Sequence, residues 1–217
     1  MTALSRPQHP AVVAALRLAG AWCGGHLIDD VPAIAHAVDV ARALERHHPR
    51  VPGEVVAASL LHDAPAFAPV HVDLDAELAA IHPVVPRIVR QLDQERAALI
   101  MRRPAVVEFG DPWAVRISAA DKIARLRSTF GRARTAADQA AYWDERAELL
   151  DLVPCFVDLH VRSGRWLPRP MHDELGQLLA RAVRVAARHG TTAAPPAVNG
   201  CPPMVSHRIS ATVATES

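Results

Sequence analysis

Four side chains in this 217-residue chain have the types and spacing to do metal chemistry: His36, the adjacent pair His62-Asp63, and Asp121. Two imidazoles and two carboxylates are a donor set that suits Mn²⁺ best, with Fe²⁺ or Zn²⁺ as alternatives. A six-coordinate ion held this way keeps about two positions for water and a phosphoryl oxygen. Such an ion lowers the pKa of water toward ~7 and so makes a nucleophile at neutral pH. Each residue alone has a plainer reading. An inward His is usually a hydrogen-bonded core residue, and His62 at a helix end can meet the last carbonyls. An inward Asp usually has a buried cationic partner. One cation, however, explains all four at once.

The elements that must position these groups are helical. Residues 10–22 open with Pro and carry Val12, Leu16 and Ala19 on one face, and Gly24-Gly25 ends the segment. Residues 32–48 place Ala33, His36, Ala37, Val40 and Leu44 on one stripe at i, i+3, i+4 spacing. Residues 54–62 are apolar all round, as a central buried helix is. The prolines in 64–72 predict a loop, and Asp73 or Asp75 caps a short helix through His82. Residues 84–100 turn Val85, Ile88, Val89 and Leu92 inward, and 102–111 form a loop. Asp111-Pro112 opens a helix over 112–129 whose inward stripe is Ala114, Ile117, Asp121 and Ala124. Two longer helices cover 136–163 and 170–189, the second stopped by Gly190. No run alternates long enough to build a sheet. The expectation is an all-α fold: one globular helical domain over 1–190, then a Pro/Thr/Ala/Ser-rich mobile tail over 191–217.

Composition narrows the function. Half the residues are apolar but only 4% are aromatic, so small aliphatic side chains favour close helix packing. Net charge is +1, which leaves no overall basic field for nucleic acid. No apolar run reaches membrane-spanning length, and the N-terminus lacks the pattern of a signal peptide. Cys23, Cys155 and Cys201 are scattered, without CxxC spacing, which fits a reducing cytoplasm. Arginine almost wholly replaces lysine; the sole lysine is Lys122, beside Asp121. Apolar helix packing could extend into a homo-oligomer, but no interface can be located.

Three segments carry a family resemblance. VPAIAHAVDVARAL (31–44), VVAASLLHDAP (55–65) and VRISAADKIARLRS (115–128) are similar in order and spacing to the metal-binding segments of HD-superfamily phosphohydrolases. Within that superfamily they most resemble the hydrolase domain of RelA/SpoT proteins and the small alarmone hydrolases. YWDERAELLDLV (142–153) is a fainter echo, and the likeness covers roughly residues 10–165. It implies an HD-domain helical bundle with His36, His62, Asp63 and Asp121 as ligands. It also implies hydrolysis of a nucleotide or related phosphate ester, with guanosine 3′,5′-bis(diphosphate) as the specific case.

The chain departs from the family where the acids and the nucleotide cradle belong. The acidic pair after the HD dyad is Ala66 and Phe67 here, and the basic loop before the first His is GGHLIDDV. Arg125 stands where the family has Asn. His26 and Asp73 are the candidate acid or base, with His71 and Asp75 nearby. Lys122 and Arg125 are the candidate phosphate contacts, although cations near a helix C-terminus also complement its dipole. Trp113, Trp143 and Trp166 read as core anchors. The alternative function is a non-catalytic HD domain that binds metal or nucleotide as a sensor or scaffold. A two-iron oxygenase would need a second ligand set that the sequence does not offer.

Overall fold

A computed structural model describes residues 9–101 and 110–189. These are helical but for one small hairpin, so the all-α expectation holds. The predicted tail, the Gly190 stop, Cys201 and most of the 102–111 loop lie outside the described residues. The chain divides into two compact units, 9–93 and 94–189 among the described residues.

The first unit is built around α3 (Gly53–Leu60), which packs on α1 (Pro10–Cys23) and α2 (Ala33–His47). Val55 through Leu60 are all buried, as a helix apolar on every side requires. The α2 stripe Ala33, His36, Ala37, Val40 and Leu44 is buried as its spacing predicts. Between α1 and α2 lies a hairpin that the sequence did not suggest, β1 (Leu27–Ile28) paired antiparallel with β2 (Val31–Pro32). Its two-residue turn is Asp29-Asp30, both left-handed at φ 49° and 63°. That is the geometry of a type I′ turn, and Asp tolerates it better than most residues. Beyond α3 the chain tightens into a short 3₁₀ turn at Ala64–Ala66 within the predicted 64–72 loop. Then α4 (Leu74–Ile81) follows, and α5 (Val85–Ile100) holds the division between the units after Asp93.

In the second unit α10 (Arg169–His189) packs on α6 (Pro112–Thr135), α7 (Gln139–Asp144), α8 (Ala147–Asp151) and α9 (Val153–Ser163). The sequence predicted one helix over 136–163; the structure has α7, α8 and α9 there. Asp138 caps α7 through the amides of Ala140 and Ala141. Pro154 falls in the first turn of α9. A Pro is accommodated there, whereas inside a continuous helix it would clash with the preceding turn. Helix α6 runs on to Thr135, past the predicted end at 129. Trp143 is buried, while Trp113 and Trp166 are half-buried, so only the first is a full core anchor.

Candidate metal centre

His36 lies in the first turn of α2, and its residue is only 6% exposed. His62 sits just beyond α3, because that helix ends at Leu60 rather than at the predicted residue 62. Its ring is fixed locally: Nδ1 lies 2.8 Å from the Ser59 carbonyl oxygen. A carbonyl only accepts, so Nδ1 carries the proton, and in the neutral ring Nε2 then carries the lone pair. That Nε2 lies 2.9 Å from Asp63 Oδ2, and His36 Nε2 lies 3.6 Å from the same oxygen. The two rings are 5.3 Å apart between centroids. Two imidazole nitrogens therefore converge on one carboxylate oxygen inside the first unit. Asp63 keeps 21% of its side-chain surface.

Cys23 shares this neighbourhood. Burial, and secondarily the negative charge of Asp63, push its thiol up to about 11. It is an inert thiol, as its lack of an activating context predicts. His26 stacks on Phe67 with centroids 4.6 Å apart. The Phe67 ring thus packs against His26 face to face. Asp73 accepts the Ala76 amide at 3.1 Å as the N-cap of α4, and Asp75 pairs with Arg90. Asp73 caps the helix as expected, whereas Asp75 lies in its first turn and is held by Arg90 instead.

In the second unit, Asp121 is half-buried on α6 between the buried Ile117 and Ala124 turns. The plainer reading of an inward Asp, a buried cationic partner, is met by its neighbour Lys122. Lys122 Nζ lies 3.1 Å from Asp121 Oδ2, 2.7 Å from Glu95 Oε1 and 3.2 Å from Ser118 Oγ. Those three partners use its three protons, and Ser118 Oγ donates in turn to Glu95 at 2.7 Å. The Lys122 and Glu95 side chains are 4% and 3% exposed. Burial opposes the ammonium most strongly of any single influence. Glu95 and Asp121 together outweigh it and hold the group above the ordinary lysine range. Lys122 is therefore committed to orienting Asp121. Arg125 follows Asp121 by one turn, and its carbonyl accepts from Thr129 Oγ1.

Glu95 and Ser118 are the polar groups the sequence reading missed. The signal was present for Glu95: the inward series Val85, Ile88, Leu92 continues to position 95. His36 and His62 in the first unit and Asp121 in the second have the side-chain types that could hold a metal ion. No protein-family model and no curated protein matches the chain.

Proposed function

We propose that this chain is a metal-dependent phosphohydrolase of the HD class acting on a small phosphorylated molecule, with a nucleotide as the leading case. His36, His62, Asp63 and Asp121 would hold the ion, Mn²⁺, Fe²⁺ or Zn²⁺. The observation that carries this reading is the convergence of two imidazole nitrogens on Asp63 Oδ2. With its proton on Nδ1, a neutral His62 presents a lone pair at Nε2 toward the Asp63 carboxylate, and a cation between them would remove that repulsion. When bound, the ion supplies Lewis-acid activation of water and neutralises phosphoryl charge. The protein does the positioning: the Ser59 carbonyl sets the His62 tautomer, and Lys122 orients Asp121 through Oδ2. Arg125 is the remaining phosphate contact on α6, because the protons of Lys122 are already engaged.

A second reading, a metal- or nucleotide-binding sensor, is favoured by Ala66 and Phe67 at the positions of the family's acidic pair. A Mn²⁺-supplemented screen divides the two. It would cover guanosine tetraphosphate, nucleoside monophosphates and simple phosphate esters, with His62→Ala as the control. The hydrolase reading expects turnover of one class well above that control. Metal-loaded protein with no turnover supports the sensor instead. Alarmone turnover equal to the control sinks the alarmone version.

A further inference from the structure

The second unit contains a cavity of about 380 Å³ between the C-terminal halves of α6 and α10. Its walls include Arg134 on α6, Arg181, Arg184 and Arg188 on α10, and Gln139 and Trp143 on α7. Among the described residues no carboxylate lines it. Among the described residues none of the four arginines has an ion pair with a carboxylate. Arg181, Arg184 and Arg188 follow i, i+3, i+7 spacing, which puts three like charges on one helical stripe, where they repel.

Two features separate this cluster from simple compensation of helix dipoles. Dipole effects fade beyond the last turn, yet Arg181 lies eight residues before the end of α10. The acids of α10, Asp173 and Glu174, sit near its other end, and Glu174 is taken by Arg127. The cavity is also shaped. The Arg181 guanidinium carbon lies 4.1 Å from the centre of the Phe130 ring, a cation–π contact that favours this position. Trp143 is held edge-on by Phe130 and Tyr142. The volume falls in the range of small-molecule sites, and guanidinium forks match phosphate oxygens in pairs.

We propose that this cavity binds a small polyanion carrying at least two phosphate groups, independently of the metal centre. The ligand neutralises the arginine stripe, and Gln139 and Trp143 face whatever the phosphates carry. The test is calorimetric titration of the full-length chain in EDTA, so that no metal contributes. The probes are pyrophosphate and a nucleoside diphosphate. Saturable one-to-one binding is expected, weakened about tenfold or more by R181Q/R184Q, since each lost charged hydrogen bond is worth about 1.5–3 kcal/mol. R188Q alone should weaken it less, and the surface pair R42Q/R169Q should leave it unchanged. Pyrophosphate should also raise the melting temperature of the wild type but not of R181Q/R184Q. Tighter binding of the nucleoside diphosphate assigns the nucleoside to Trp143 and Gln139. Equal binding confines recognition to the phosphates, and either result supports the site. Absence of saturable binding, or an equal loss in R42Q/R169Q, overturns it.

Discussion

The molecule holds two buried polar clusters of opposite construction. Around Lys122 in the second unit, one ammonium meets two carboxylates and a hydroxyl, and all its protons find acceptors. Lys122 and Glu95 are nearly sealed from solvent, while Asp121 keeps 18% of its side-chain surface. Around Asp63 in the first unit, two imidazole nitrogens face a carboxylate that remains partly open. There, the lone pair of a neutral His62 faces a carboxylate, an arrangement that the proposed cation would complete. The difference teaches what burial alone does not. Both clusters are polar groups in an apolar surround, and the one around Asp63 is the one proposed to take a metal ion from outside.

Breaking the complete cluster should have the largest effect. Lys122→Met strands Glu95 inside the protein and should cost about 3–5 kcal/mol, read as a lower denaturation midpoint in urea. Adding Glu95→Leu to that variant should recover much of the loss, because removing both charges of a buried pair is often nearly neutral. If the double variant is no better than the single, the lysine's role is packing and the contrast fails. Ser118→Ala should cost less, about 1 kcal/mol, because it deletes a neutral bridge between groups that still pair with each other.

Asp73→Ala separates a cap from a catalytic base. As the N-cap of α4 it should cost about 1 kcal/mol of stability and leave turnover per folded molecule unchanged. A large fall in turnover without loss of stability would return Asp73 to the active site. The pH dependence of the closed cluster should be the smallest effect in the neutral range. The folded Lys122 sits above the ordinary value of 10.5, so its stabilisation is fully present below that value. It is lost only as pH rises through the higher folded value. The stability gap between wild type and the Lys122→Met/Glu95→Leu double variant, which removes both titrating partners, should therefore stay flat from about pH 6 to 9. For the same reason native protein should resist acylation at its single lysine until it is unfolded.

Much of this was legible in the residues. The α2 stripe reads directly from its spacing, and His36 is buried where the stripe puts it. The dyad was legible as chemistry but not as geometry. A 3.6-residue period continues α3 through His62, whereas the chain tightens after Leu60, and that turn lets the Ser59 carbonyl set the ring. The split of 136–163 was signalled by Pro154 and by Asp138, although apolar periodicity hid both. The hairpin at 27–32 was not legible, because its strands are two residues long and its turn uses Asp rather than Asn-Gly. Lys122 misled for a physical reason. Beside an inward Asp it suggests a phosphate contact, and only the continuation of the α5 stripe to Glu95 shows that its charge is spent internally.

The central claim is that the open cluster around Asp63 is a metal cage. Its most direct test is Mn²⁺ titration of chelator-stripped full-length protein, with metal content after dialysis and circular dichroism to confirm folding. One tightly held equivalent is expected in the wild type. In His62→Ala the affinity should fall by more than ~100-fold, beyond the 10–100-fold typical of losing an outer partner, with the helical signal retained. Wild-type protein that holds no transition metal, or a His62→Ala variant that holds it equally well, would contradict the cage.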